Sequence, residues 1–207
     1  MSGSGKSFAT KILLARFALA NIKNDIYFAD YKQDDQFSSF RNCSRYYPYK
    51  KSLEALDIVY EKMYKRQTNE DKDRYPITLI WDEYVANILA LQAEDKKAAA
   101  LAMTKVSEIL MLGRSLSVRM FTSCQRPDAA VFAYGSRLNY GIQVILGAPI
   151  RSIYEMLMPE YLDKIGDREF KTGEGVLLLQ GSILRFIKVP IVKNISGLHE
   201  ICIRALS

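Results

Sequence analysis

Lys6 and Ser7 follow two glycines, Gly3 and Gly5, in the string SGSGKS at residues 2–7. This fits the second half of the pattern G-x-x-x-x-G-K-[ST]. Its glycines let the backbone curl so that N–H groups converge on phosphate oxygens. A helix starting at Lys6 or Ser7 would add the positive end of its dipole. Lys6 can then reach the β- and γ-phosphates, and the Ser7 hydroxyl can ligate Mg²⁺. Gly3, Ser4, Gly5, Lys6 and Ser7 are therefore candidate nucleotide-binding residues. The first glycine of the pattern would fall one residue before Met1. The bland alternative is a flexible Gly/Ser start.

A second group of residues complements the first. The run YPITLIWDE at residues 75–83 reads as an apolar strand that delivers Asp82 and Glu83 at its tip. Adjacent carboxylates at a strand tip form a Walker B arrangement. Asp82 would bind Mg²⁺ opposite Ser7, and Glu83 would polarise an attacking water. An ordinary strand-to-helix junction with acidic first-turn residues is the bland reading. A later strand, residues 118–123, delivers CQRP at 124–127. Gln125 is there a candidate γ-phosphate sensor.

These groups must be carried by alternating helices and strands. Residues 8–21 read as a mostly buried helix, and 25–30 as a short buried strand ending in DYK at 30–32. Residues 33–50 look irregular, with Arg41, Arg45, Lys50 and Lys51 set among Tyr46, Tyr47 and Tyr49, a mixture that suits nucleic acid or a solvated loop. Ser52 is placed as the cap of a helix to about residue 66. Further helices are expected over 84–91, 98–112 and 153–158. Strands are expected over 141–146, 175–180 and 184–189, the last two an antiparallel pair around Gly181 and Ser182. The tail, 195–207, gives no reading, and His199 is taken as structural.

Composition narrows the class. With 207 residues, 49% hydrophobic and 25% charged, the chain can build one α/β domain with a sizeable core. The net charge of +6 permits a polyanionic partner. Three scattered cysteines, Cys43, Cys124 and Cys202, have no metal spacing and fit a reducing cytoplasm. No apolar run is long enough to span a bilayer, so membrane association would come through other segments or partners.

Together the motifs resemble the motor domain of the FtsK/SpoIIIE family, in the HerA–FtsK group of RecA-like P-loop ATPases, alongside conjugative coupling proteins. The resemblance rests on SGSGKS at 2–7, DYK at 30–32, LIWDE at 79–83, GRSLSV at 113–118, TSCQRP at 122–127, Ser136-Arg137 before a strand, and GEG at 173–175 with a final hairpin reaching Val189 and Pro190. It implies a mainly parallel sheet flanked by helices with a C-terminal antiparallel hairpin. It implies ATP and Mg²⁺ as cofactors and hydrolysis coupled to movement of double-stranded DNA. It also implies a homo-oligomeric, hexameric ring with an arginine supplied between subunits. Arg137 is the first candidate for that arginine and Arg114 the second. The compact size resembles a mobile-element or phage relative. The family's first strand, which runs into the phosphate loop, is expected to be missing, so residues 1–207 are read as one N-terminally truncated domain, with a membrane-anchored partner or an absent N-terminal segment outside it.

Two other readings stay open. One is a truncated or degenerate nucleotide-binding module without motor activity. The other is a small-molecule P-loop kinase, disfavoured because no Arg-rich lid is visible and because paired Asp82 and Glu83 suit hydrolysis.

Overall fold

The computed structural model describes residues 3–20, 23–132 and 139–207. The central strand is β3 (Ile77–Asp82), in which every residue is buried. Such a run has no exposed face, and its neighbours explain why. β1 (Asp25–Asp30) and β4 (Val118–Thr122) flank it in parallel, and β2 (Tyr46–Pro48) adds a short edge to β1. Parallel strands are buried on both faces because crossover helices cover them.

The side chains divide as the pleat requires. Tyr27, Ala29, Leu79 and Trp81 pack with Leu56, Val59, Met63, Ile88, Val106 and Ile109. These come from α2 (Ser52–Gln67), α3 (Tyr84–Glu94) and α4 (Lys96–Leu112). On the opposite face Ile26, Phe28 and Ile80 meet Leu14, Phe37, Phe40, Leu198, Cys202 and Leu206. That layer is α1 (Lys6–Ala20), the 3-10 turn Asp35–Phe40 and α7 (Ile195–Leu206). The tail that offered no reading is thus an amphipathic helix closing the second face, with Leu198, Cys202 and Leu206 buried at i, i+4, i+8. His199 on α7 lies with Nε2 3.4 Å from the Nζ of buried Lys11, whose ammonium donates to the Gln36 carbonyl.

A second sheet is antiparallel, in the order β5 (Ile142–Leu146), β6 (Glu174–Leu179), β7 (Ile183–Lys188). Its core joins Ile145, Val176 and Leu178 to Tyr154, Met158 and Ile165 around α5 (Arg151–Leu157) and α6 (Leu162–Ile165). The expected hairpin is therefore three strands, because β5 pairs with β6 rather than with the parallel sheet. Among the described residues β4 has a ladder partner only in β3, and β5 only in β6. The Thr122 hydroxyl reaches the Tyr140 hydroxyl at 3.0 Å between the two sheets.

Local readings differ in two places. Residues 33–50 are more ordered than an irregular loop: the Tyr46 hydroxyl donates to Asp30 at 2.7 Å, Arg45 pairs with Asp25 at 3.6 Å and Arg41 with Asp35 at 3.2 Å. Most of the basic and aromatic side chains there are used within the fold. Ser52 is the first residue of α2 rather than its cap, and its hydroxyl donates to the Tyr47 carbonyl.

Arg66, fully buried at the end of α2, fastens the other end of the sheet. Its guanidinium donates to Asp71 at 3.1 Å and to the Leu116 carbonyl at 2.9 Å, and lies 4.9 Å from the Tyr75 ring centroid. Truncation would strand a buried carbonyl and open a void. Arg66→Ala is expected to cost about 3 kcal/mol, read as a lower urea midpoint with unchanged slope. Arg66→Lys should recover only part of it, since an ammonium cannot reach both partners at once.

Candidate functional site

The parallel strands end together. β1 stops at Asp30, which is in register with Asp82 of β3, and Trp81 is in register with Thr122 of β4. This carboxyl end of the sheet holds the candidate chemistry, as open α/β sheets place their ligand crevice there.

Asp82 is completely buried. Its Oδ1 accepts from Lys6 Nζ at 3.1 Å and from the Ser123 hydroxyl. Its Oδ2 is buried and, among the described residues, accepts no hydrogen bond. Burial pushes its carboxyl above the ordinary range, although the Lys6 charge and the Ser123 hydrogen bond pull the other way. Glu83 follows with φ 55° and ψ 39°, a left-handed conformation that a residue with a Cβ adopts at a cost. The strand reverses into α3 at that point, and the turn aims the Glu83 side chain back under the loop. There Oε1 accepts from Lys6 Nζ, and Oε2 accepts from the Gln125 backbone N–H at 3.3 Å.

Lys6 thus bridges both carboxylates. Burial alone would lower its pKa, but the Asp82 charge and the bonds from Glu83 outweigh that and hold it raised. Lys6 and Ser7 open α1, and Ala9 N–H closes the first turn on the Gly5 carbonyl at 2.9 Å. Gly3 and Gly5 have φ of 93° and 90°. A Cβ on Gly5 would lie 3.2 Å from the Gly173 backbone, so the cradle admits only glycine there.

The turn before β6 closes over this loop. Gly173 N–H donates to the Ser4 carbonyl at 2.9 Å, and the Thr172 hydroxyl to the Gly3 carbonyl at 2.9 Å. Gly147, just after β5, approaches Ser4 as well. The loop is therefore stitched to the second sheet.

Lys6, Asp82, Glu83 and the Gly3–Gly5 cradle come together as the sequence suggested. Gln125 also arrives, but its main-chain N–H makes the contact. Arg137 lies outside the described residues. Arg114 sits exposed in the turn before β4, at the far end of the sheet from Glu83. Ser123 and Thr172 were not singled out by sequence reasoning. Ser123 stands inside TSCQRP, one residue past the strand, where side chains face the crevice. Cys124 is half-buried behind the carboxylates, and burial pushes its thiol up to about 12, so it stays a protonated, inert thiol.

The donor set fits Mg²⁺ carried by a phosphate. The orphaned Asp82 Oδ2 offers a hard oxygen, and a Ser7 hydroxyl follows the lysine. No cluster of three metal-ligating side chains forms among the described residues. Mg²⁺ is commonly held in this way, by one or two protein oxygens together with substrate phosphates and water.

No family model matches the chain. Over 118 residues, 56% of its length, it is 30% identical to the FtsK domain-containing protein YdcQ of Bacillus subtilis (strain 168), 24% of which is covered. All of the chain superposes on the cytoplasmic domain of the type VII secretion ATPase EccC of Thermomonospora curvata, with a TM-score of 0.69, 18% identity and 27% of that chain covered. All of it also superposes on the pCW3 conjugation coupling protein TcpA, a monomer form with ATPγS, with a TM-score of 0.74, 17% identity and 62% of that chain covered. These likenesses bear out the α/β fold, with its parallel sheet flanked by helices, and the resemblance to FtsK-type proteins. No helix among the described residues is long and apolar enough to cross a membrane.

Proposed function

We propose that this chain is the ATP-hydrolysing module of a motor that moves double-stranded DNA, working in a ring of its own copies. The observation that carries the hydrolysis is the Lys6 bridge to Asp82 and Glu83 beneath a glycine cradle. The resemblance to FtsK-type and conjugation coupling proteins supports the motor and its DNA, as does the net charge of +6. It also supports DNA transfer by a mobile element or phage, and a membrane-anchored partner.

The residues divide the work. N–H groups of the Gly3–Gly5 loop and the start of α1 would bind phosphate oxygens. Ser7 and Asp82 would hold Mg²⁺, which when bound supplies neutralising charge to the phosphates. The Lys6 ammonium donates to Glu83 as well as to Asp82. An arriving γ-phosphate competes for that ammonium and releases the carboxylate to accept a proton from water. Ser123 keeps Asp82 oriented throughout, and the Gln125 N–H keeps Glu83 oriented. Arg137 of a neighbouring copy is the proposed source of transition-state charge, with Arg114 second.

The test is phosphate release from Mg-ATP with and without duplex DNA. Hydrolysis is expected, with a rate that rises on adding DNA. Hydrolysis indifferent to DNA would reject the motor. No binding of Mg-ATP at micromolar concentration would leave a module without motor activity.

A further inference from the structure

At the same carboxyl end, one strand beyond Asp82, two aromatic rings stack at the surface. Tyr31 follows β1, and its N–H lies 3.5 Å from the Asp82 carbonyl. Its ring stacks on that of Tyr49, with centroids 5.3 Å apart and planes 22° apart. Tyr49 is 45% exposed, whereas Tyr46 nearby is buried among phenylalanines. The pair is therefore not a spill-over of the core.

The backbone around it is held at a cost. Tyr49 has φ 49° and Gln33 φ 56°. A bulky residue in the left-handed region is an outlier of the kind found at ligand clamps. Lys50 braces the lip by pairing with Glu94 of α3 at 2.9 Å while lying 6.0 Å from the Tyr49 ring centroid. Lys32 and Lys51, next in sequence to the two tyrosines' segments, are exposed, and neither forms an ion pair among the described residues. Asp35, exposed in the following turn, is taken by Arg41.

We propose that Tyr31 and Tyr49, with Lys32 and Lys51, form a platform that stacks an unpaired base of a DNA strand while the lysines meet its phosphates. An exposed π-face beside unneutralised cations suits nucleobases joined by phosphates. The proposal rests on the reading that the polyanionic partner is DNA. It adds a site that grips a single strand, as at a duplex end or junction, within reach of the carboxylate pair.

The experiment measures fluorescence anisotropy of a labelled single-stranded oligonucleotide, and of its duplex, over a salt series. Tyr49→Ala is expected to weaken single-strand binding by about 5- to 100-fold and duplex binding much less. Tyr49→Phe, which keeps the ring, should retain it. Lys32→Gln and Lys51→Gln should each flatten the salt slope by about 0.7. Lys72→Gln, exposed at the other end of the sheet, should change neither. Urea midpoints of the variants separate lost binding from lost folding. If the wild-type chain binds DNA and Tyr49→Ala binds the single strand equally well, the platform is overturned and the motor reading stands. If the wild-type chain hydrolyses ATP but binds no DNA, both fall.

Discussion

Glu83→Gln is expected to lower ATP turnover by about 10²- to 10⁴-fold, the usual contribution of a positioned general base, while Mg-ATP still binds. The two side chains have nearly the same shape. The amide still accepts the Gln125 N–H through its oxygen, and α3 still begins at the same left-handed residue. What disappears is the capacity to take a proton from water, together with the Lys6 contact, because the amide has one acceptor oxygen and turns its NH₂ toward the ammonium. Single-turnover phosphate release gives the rate and calorimetry gives the binding. An unchanged rate would remove Glu83 from the chemistry. A comparable loss in both binding and rate would make it a structural partner of Lys6.

Lys6→Met carries the second large effect, and part of it appears without nucleotide. Asp82 is wholly buried and Glu83 nearly so, and Lys6 is the cation beside both. Leaving buried charges uncompensated costs about 3–5 kcal/mol. Asp82 can escape part of that cost by taking up a proton. Its carboxyl already sits above the ordinary range because burial outweighs the pull of Lys6, and removing Lys6 moves it further up. Between the unfolded carboxylate value, about 3.9, and that raised folded value, the native state binds more protons than the unfolded one. Stability then falls as pH rises. The deficit of Lys6→Met should therefore be larger at pH 7 than at pH 5, and Asp82→Asn in the same chain should shrink it. Urea midpoints at the two pH values measure this, and a deficit equal at both would contradict the electrostatic account. In the wild-type chain the raised Lys6 contributes stability that is full below the ordinary lysine value, about 10.4, and is lost as pH climbs through its folded value.

Much of this site was legible before any coordinates. Lys6, Ser7, Asp82 and Glu83 announce themselves because their chemistry depends on residue type at fixed offsets from a glycine turn or a strand tip. The parallel strands were legible for a similar reason: residues 77–82 form an apolar run too short for a helix and closed by carboxylates. What escaped depends on partners distant in sequence. The edge strand Tyr46–Pro48 has only three residues and draws its register from β1, so no local periodicity marks it. α7 carries a regular buried stripe, but its polar and glycine positions read as a tail until α1 supplies the surface it covers. Thr172 and Gly173 look like any turn, and only the folded chain shows which carbonyls they meet. Gln125 was singled out for its side-chain amide, and the contact it makes with Glu83 is through its peptide N–H, which any residue type could supply.

The stitching of the phosphate loop to the second sheet has a mechanical meaning. The Gly173–Ser4 bond runs from backbone to backbone, and the Thr172–Gly3 bond ends on a backbone carbonyl. A loop that tightened around an anion would therefore pull on a three-stranded plate, about 10 Å from first strand to last at the usual spacing. The far edge of that plate is β7, which carries exposed Ile183 and Phe186. The tie is written mainly in main-chain atoms, so substitutions elsewhere in either sheet can change its surface while leaving the loop fastened to it.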